Sequence, residues 1–343
     1  MTIKTKTSYL VFASALLLTG LRAAFAAPEN VTFDGIAPAV PAGVAAVTAP
    51  APAARLRGGD ATAEYQAALA GADAALTPEL VNELRKYKVL LVPGLFSNVD
   101  KTKLPVVGIF CSPEAKPRYQ EHMALLKSLG VEVEQLKLQT ESSIQTNAPG
   151  IAAAIKASSK PVILMGSSKA GLDTLEALVS EKALLAKVRG VVMLQVPFYG
   201  TPVADAIVAK KKVGTVLAKI LNRLGGSLDS LRNLTMKDRE IYMRENSAAI
   251  AEVAATVPVI SVATWADPVE KGERDTGLKP LRNYMLKRGL KNDGLVPVDS
   301  AVMPGSDVIK IAGADHGATA QPTKLKFDRV AFTKAVLIMM LAR

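Results

Sequence analysis

Short runs of consecutive apolar residues alternate with amphipathic stretches along most of the chain. The runs at residues 89–92 and 162–165 contain only Val, Leu, Ile and Met, and Pro-Gly and Gly-Ser pairs follow them. Such runs predict strands buried on both faces, because helices cover both faces of a parallel sheet. Further strands are predicted over residues 131–138, 188–196, 257–263 and 308–312.

Apolar residues that recur at three- and four-residue steps predict helices before and between these strands. The predicted helices cover residues 61–71, 77–87, 118–129, 143–157, 169–179 and 324–341. Strands separated by single helices indicate right-handed crossovers. The predicted fold class is therefore α/β, with helices flanking a mostly parallel central sheet.

The N-terminal residues differ in composition from the rest of the chain. Two lysines precede an apolar run at residues 10–21, and an Ala-Phe-Ala triplet ends at residue 26. This pattern predicts a cleaved signal peptide over residues 1–26, and so a secreted or periplasmic protein. The run is short against the roughly 20 residues of a membrane span. Arg22, inside the cleavage region, leaves an uncleaved anchor as the alternative.

Residues 27–60 are rich in Ala and Pro, which predicts an extended linker. The folded domain is then expected over residues 61–343. Of the whole chain, 49% is hydrophobic, which excludes a disordered protein. A single cysteine and two histidines exclude a disulfide framework and a polyhistidine metal site. The net charge of +11 is dispersed without an aromatic-interleaved basic motif, so no nucleic-acid partner is expected.

A helical insertion of about forty residues interrupts the alternation at residues 203–246. Its apolar residues recur at helical spacing, and lysine and arginine surround them. A basic amphipathic helix of this kind suits a lid that contacts a membrane or lipid interface, or a plain cap helix packed on the core. The apolar stripe consists of Val203, Ala204, Ile207, Val208, Val213, Val216, Leu217, Ile220, Leu221 and Leu224.

The most informative motif lies between a predicted buried strand and a predicted helix, at residues 165–171, where the sequence is Met-Gly-Ser-Ser-Lys-Ala-Gly. A nucleophilic serine needs a tight strand-to-helix turn with small neighbours. Ser168 is the predicted nucleophile, and the amide of Lys169 would face the oxyanion from the helix N-terminus. Ser167 is the competing hydroxyl, if the turn is shifted by one residue. The alternative is an ordinary strand–helix turn of small residues without a catalytic role.

A second oxyanion donor is expected in a glycine-containing loop after an early strand. Pro93 and Gly94 follow the strand at residues 89–92, which makes the amide of Leu95 the best candidate and that of Phe96 the second. By itself this motif is also compatible with a simple Pro-Gly turn.

A base for the serine is expected after the last strand. His316 lies there, between the strand at residues 308–312 and the final helix. His122 lies upstream of the serine on a predicted helix and is interpreted as an ordinary surface or half-buried residue. The acid is expected between serine and histidine, and two aspartates remain open: Asp293 in an Asn-Asp-Gly turn, and Asp267 just after the strand at residues 257–263.

Four blocks of the chain resemble, in the same order, the secreted bacterial triacylglycerol lipases and esterases of the α/β-hydrolase superfamily. They are residues 92–96, 166–173, 196–205 and 292–296. The resemblance implies a catalytic triad of Ser168, Asp293 and His316. It also implies an oxyanion hole from the amides of Leu95 and Lys169, and a lid after Gly200.

The chain departs from those lipases at several positions. Pro93 and Ser167 stand where they usually carry histidine, and Ala170 stands where they carry glycine. The calcium site of many of those lipases uses an acidic residue just after the catalytic histidine, whereas Gly-Ala-Thr follows His316 here, so no required calcium is expected. A Ser-His-Asp mechanism needs no other cofactor. The sequence predicts a serine hydrolase acting on small-molecule or lipid esters. The alternatives are an acyltransferase or polyester depolymerase with the same triad, and a non-catalytic binding protein on a hydrolase scaffold.

Overall fold

A computed structural model describes residues 58–71, 76–97, 117–210 and 226–343. Within these ranges a six-stranded sheet forms the centre of the domain, and every neighbouring pair of strands is parallel. The strands are β1 (Lys88–Val92), β2 (Glu132–Gln135), β3 (Val162–Ser167), β4 (Val188–Leu194), β5 (Val259–Trp265) and β6 (Asp307–Ala312). Their order across the sheet is β2-β1-β3-β4-β5-β6.

Helices pack on both faces of this sheet. In chain order they are α1 (Thr62–Ala70), α2 (Pro78–Leu84), α3 (Gln120–Ser128), α4 (Ile144–Ala157), α5 (Lys169–Ser180), α6 (Pro202–Ala209), α7 (Asp229–Arg232), α8 (Met236–Glu245), α9 (Ser247–Thr256), α10 (Lys279–Leu286) and α11 (Arg329–Leu341). Short 3-10 helices lie at Lys182–Lys187 and Asp299–Ala301. The predicted α/β fold class, with helices around a mostly parallel sheet, is confirmed.

The apolar runs of the sequence are explained by two separate cores, one on each face of the sheet. Successive side chains of a strand point to opposite faces. In β1, Leu90 and Val92 therefore join one core, and Val89 and Leu91 join the other. All four side chains are fully buried, which is why the run contains no polar residue.

Some predicted boundaries are wrong. The predicted strand at residues 257–263 begins later, at Val259, and continues to Trp265. The final helix begins at Arg329 rather than at residue 324, because the Asp328 carboxylate caps it by accepting a hydrogen bond from the Ala331 amide at 2.9 Å. Helices α9 and α10 were not predicted.

Several predicted features lie outside the described residues. They are the signal peptide, the linker except for residues 58–60, and residues 211–225 of the helical insertion. In the part of the chain that is described, no helix has both the length and the apolar character that a membrane crossing requires.

The parallel sheet brings the loops that follow its strands to one edge. Val92 at the end of β1 is paired with Gly166 in β3, and Ser167 at the end of β3 is paired with Leu194 in β4. Ligand sites of open parallel sheets lie at this carboxyl edge. The predicted site residues follow β1, β3, β5 and β6, so the topology assembles them on one side of the domain.

Candidate active site

Ser168 lies in the sharp turn between β3 and α5. Its φ is +57°, in the left-handed region that residues other than glycine rarely adopt. The Ser168 amide donates to the Leu194 carbonyl at 2.8 Å, and the Gly171 amide donates to the Ser168 carbonyl at 3.0 Å. These bonds hold the strained turn between the sheet and the first turn of the helix.

Small residues around this turn are required by close contacts. A Cβ on Gly94 would lie 2.6 Å from the Ser167 carbonyl oxygen, and one on Gly171 would lie 2.1 Å from Val196 Cγ2. Ala170, at the position where the resembling lipases carry glycine, is fully buried in the core. The loop after β1 therefore lies directly against the serine turn, and alanine is accommodated at residue 170.

His316 and Asp293 form a buried hydrogen-bonded pair. Nδ1 of His316 lies 2.9 Å from Oδ2 of Asp293, and the His316 amide donates to the Asp293 carbonyl at 2.7 Å. The other carboxylate oxygen, Oδ1, accepts from the amides of Leu295 at 2.9 Å and Val296 at 2.8 Å. The carboxylate is thus fixed by its own turn, and its bond to Nδ1 leaves Nε2 as the ring nitrogen for chemistry.

Among the described residues, Asp267, the second candidate acid, makes no hydrogen bond with His316. It is exposed, and its carboxylate accepts from the indole Nε1 of Trp265 at 2.9 Å. Its backbone carbonyl accepts from Nη1 of Arg282 at 2.9 Å. The structure therefore brings Asp293, and not Asp267, to the histidine.

Gln195, which was not predicted as a site residue, holds the loop that carries His316. Its side-chain amide nitrogen donates to the Asp315 carbonyl at 2.9 Å and to the Thr264 hydroxyl. Its side-chain oxygen accepts from the Gly317 amide and the Thr319 hydroxyl, both at 3.0 Å. Gln195 is buried, and its φ is +54°. The sequence signal that could have identified Gln195 is a polar residue at the end of the buried apolar strand β4.

Ser168 and His316 line the same pocket. The pocket is open to solvent, and Leu95 and Phe96 contribute to its wall on the β1 side. Arg118 and Thr201 are polar residues of the lining, and most of the rest is apolar and comes from α6, the α7 region and the loop that follows Asp293: Val203, Ala204, Ile207, Leu231, Leu234, Leu295 and Val296. The loop after β1 and the N-terminus of α5 meet beside Ser168, which is the position required of the two predicted oxyanion donors, Leu95 and Lys169.

The side chain of Lys169 points away from the oxyanion position into a buried ion pair. Its Nζ lies 2.8 Å from Oδ1 of Asp173, and Nδ2 of Asn147 donates to Oδ2 of the same carboxylate at 3.1 Å. Burial raises the pKa of Asp173 to about 6, although Lys169 and Asn147 oppose this shift. The ion pair links the first two turns of α5. The side chain of Lys169 is therefore structural, whereas its backbone amide is a candidate oxyanion donor.

His122 is fully buried, contrary to the expectation of a surface or half-buried residue. It lies on α3, beside the core that contains Val89 and Leu91. Its ring contacts that of Tyr119 edge to face, with 5.3 Å between the ring centroids. Burial, together with the nearby Arg329 cation, lowers the pKa of His122 to about 4, against opposing effects of the Thr319 backbone and Glu121.

We expect this histidine to make the protein less stable in mild acid. The unfolded chain takes up a proton near pH 6.5, whereas the folded protein keeps His122 neutral down to about pH 4. The unfolded state therefore binds more protons in that window, and the free energy of unfolding falls by up to about 3 kcal/mol as the pH is lowered through it. Chemical denaturation at several pH values measures the effect.

The matched control is His122→Phe, which keeps the stacking on Tyr119 and cannot titrate. Asp173, with its raised pKa, contributes with the opposite sign in the same window. The informative quantity is therefore the difference between the two proteins. An identical pH dependence of both would contradict the prediction.

Within the described residues, His, Cys, Asp and Glu side chains form no group of three or more that suits a metal ion. That the protein requires no cofactor stays a prediction from its sequence.

The fold is similar to the folds of solved esterase and lipase structures. A metagenomic carboxyl esterase superposes with a TM-score of 0.60 at 22% sequence identity, over 75% of this chain and 76% of that one. The mature lipase of Bacillus licheniformis superposes with a TM-score of 0.51 at 18% identity, over 68% of this chain and 86% of that one. No protein-family model and no curated protein sequence matches the chain. The resemblance found in the sequence blocks is thus confirmed at the level of the fold.

Proposed function

We propose that the protein is a serine hydrolase that cleaves carboxylic esters through an acyl-enzyme. The observation that carries the proposal is the buried hydrogen bond between His316 and Asp293, together with His316 lining the same pocket as Ser168, a serine in a strained strand-to-helix turn. This combination of nucleophile, base and orienting acid is the one that acyl transfer requires.

In the proposed mechanism, Ser168 Oγ attacks the ester carbonyl while Nε2 of His316 takes its proton. Asp293 keeps the ring in the tautomer that carries hydrogen on Nδ1 and stabilises the imidazolium that forms. The amides of Leu95 and Lys169 stabilise the oxyanion of the tetrahedral intermediate. His316 then protonates the leaving alcohol, and a water molecule activated by the same base hydrolyses the acyl-enzyme. No step requires a cofactor.

The pocket favours esters of apolar, lipid-like acids. Its walls are aliphatic over most of their area, and burial of each methylene of an acyl chain contributes about 0.8 kcal/mol. Hydrolysis of p-nitrophenyl esters of graded acyl length tests the proposal. We expect kcat/KM to rise with chain length until the pocket is filled. A protein that cleaves none of these esters would contradict it, and would favour a binding protein on a hydrolase scaffold.

We also propose that the protein acts outside the cytoplasm, in the periplasm or after secretion. The proposal is supported by the charged start, apolar run and Ala-Phe-Ala triplet within residues 1–26. N-terminal sequencing of the protein from the periplasmic fraction of a bacterial host tests it. A mature N-terminus at or near Ala27 is expected, and a full-length protein retained in the membrane fraction would contradict it.

A lipid-facing role of the insertion at residues 203–246 completes the proposal. Replacing both Val216 and Leu217 by glutamine should reduce activity on aggregated long-chain esters more than on dissolved short-chain esters, because it removes apolar area from a predicted interfacial stripe. Lys219→Gln, in the same segment, is the control for a change that removes no apolar area. Equal losses on both substrates with a lower Tm would indicate a packed cap helix instead.

A further inference from the structure

Arg118 is held beside the nucleophile by the residue that follows it. Tyr119 has a φ of +63°, its amide donates to the Ala320 carbonyl at 2.7 Å, and its hydroxyl donates to the Val92 carbonyl at 3.1 Å. Both partners lie near the site, Val92 at the end of β1 and Ala320 in the loop after His316. The start of α3 is thereby fixed at the carboxyl edge of the sheet.

The guanidinium of Arg118 is buried and lines the pocket together with Ser168 and His316. The residue is only 6% exposed, and its Nη1 donates to the Ser167 hydroxyl at 3.0 Å. A guanidinium has several further N–H donors in a planar fork. None of the ion pairs among the described residues involves Arg118. Because a buried charge without a counter-ion is costly, a guanidinium with no acidic partner among the described residues fits a site whose counter-ion arrives with a ligand.

The cation and most of the apolar wall are attached to different strands of the sheet. Arg118 bonds to the end of β3 and is tied through Tyr119 to the end of β1, whereas the aliphatic wall comes from segments that follow β4 and β5. This separation leaves room for an ester at Ser168 to place its acyl chain against the aliphatic residues and its other substituent toward the guanidinium.

We propose that Arg118 binds a carboxylate or phosphate group of the substrate, on the side of the ester opposite to the apolar acyl chain. The proposal rests on the proposed ester hydrolase function and narrows its substrate to anionic amphiphilic esters. Planar recognition of either anion by two parallel N–H donors is characteristic of arginine. The two anions correspond to different sources, a lipid headgroup for phosphate and an ester of a hydroxy acid for carboxylate.

Two matched substrate pairs test the proposal, all four being esters of butyric acid. The first pair is 1-butyrylglycerol 3-phosphate and neutral 1-butyrylglycerol, and the second is 3-butyryloxybutanoate and its neutral amide. Butyrate release gives kcat/KM for each. We expect the wild-type protein to prefer the anionic member of at least one pair, and the pair in which it does so identifies the anion.

Substitutions at the site assign the preference to the guanidinium. Arg118→Gln should lower the ratio of anionic to neutral kcat/KM by roughly tenfold or more, mainly through KM, as expected for the loss of a charge-assisted hydrogen bond. Arg118→Lys should retain part of the ratio because it retains the charge. Ser167→Ala is the matched control, since it removes the hydrogen-bond partner of Arg118 and leaves the cation in place, and the ratio should stay near that of the wild type.

The outcomes separate this proposal from the proposed function. A wild-type protein that cleaves the neutral member of both pairs at least as well as the anionic member overturns the role of Arg118 and leaves the hydrolase standing, even if Arg118→Gln does not fold. A change of ratio reproduced by Ser167→Ala overturns it equally, because the arginine would then act only through the serine turn. Failure to cleave any of the four esters or any p-nitrophenyl ester overturns the hydrolase itself.

Discussion

Replacement of Ser168 by alanine is expected to lower ester hydrolysis by roughly 10⁴- to 10⁶-fold, because nucleophile and base act as one unit. The substitution removes only Oγ and keeps the Cβ in the strained turn, whose φ is +57°. The fold should therefore persist. Rates on a short soluble ester, measured together with the Tm of the variant, give the result.

Ser167→Ala is the control for this prediction. Ser167 precedes the nucleophile at the end of β3, and its hydroxyl accepts the hydrogen bond from Arg118 at 3.0 Å. Its loss should cost far less than that of Ser168 on a neutral ester. If the two losses were reversed, the nucleophile would be Ser167 and the turn would be shifted by one residue.

Replacement of Asp293 by asparagine is expected to cost about 10⁴-fold in turnover, the size of the effect in a well-studied serine triad. The carboxylate oxygen Oδ2 lies 2.9 Å from Nδ1 of His316, and an amide nitrogen at that position would turn the imidazole into the wrong tautomer. Oδ1 can keep its bonds from the Leu295 and Val296 amides, so the turn should remain intact. Turnover and thermal unfolding of the purified variant provide the measurement.

Asp267→Asn supplies the comparison, since this aspartate is exposed and bonds to Trp265. Its activity should stay close to that of the wild type. A crippled but folded Asp267→Asn beside an active Asp293→Asn would overturn the assignment of the acid, and would leave Ser168 and His316 in their proposed roles.

The fold was predictable where burial leaves a local trace in the sequence. Runs such as Val89–Val92 have no polar residue because both faces of the strand are covered, and they identified the central strands. Ends of elements depend on single contacts. The capping carboxylate of Asp328 sets the start of α11, a detail that the apolar periodicity of the region does not contain.

The candidate site was predictable to the extent that its residues lie in recognisable turns. The turn at Ser168 and the position of His316 after the last strand were visible in the sequence. Chain position alone left Asp293 and Asp267 open, because the choice depends on how the long segment between β5 and β6 folds back to the histidine. The Asn-Asp-Gly turn and the resemblance of residues 292–296 to a lipase block favoured Asp293, which is the aspartate that bonds to His316. Gln195 and Arg118 were missed for the same reason: each acts through partners far away along the chain, in the loop around residues 315–319 and in β3.

Labelling with a fluorophosphonate, followed by peptide mass mapping, tests the central claim most directly. The reagent reacts with a serine that is activated by a base, so it reports on the nucleophile independently of the substrate. We expect one label per protein molecule, on Ser168, and its loss in Ser168→Ala. Absence of labelling in the folded wild-type protein, or a label on Ser167, would contradict the account.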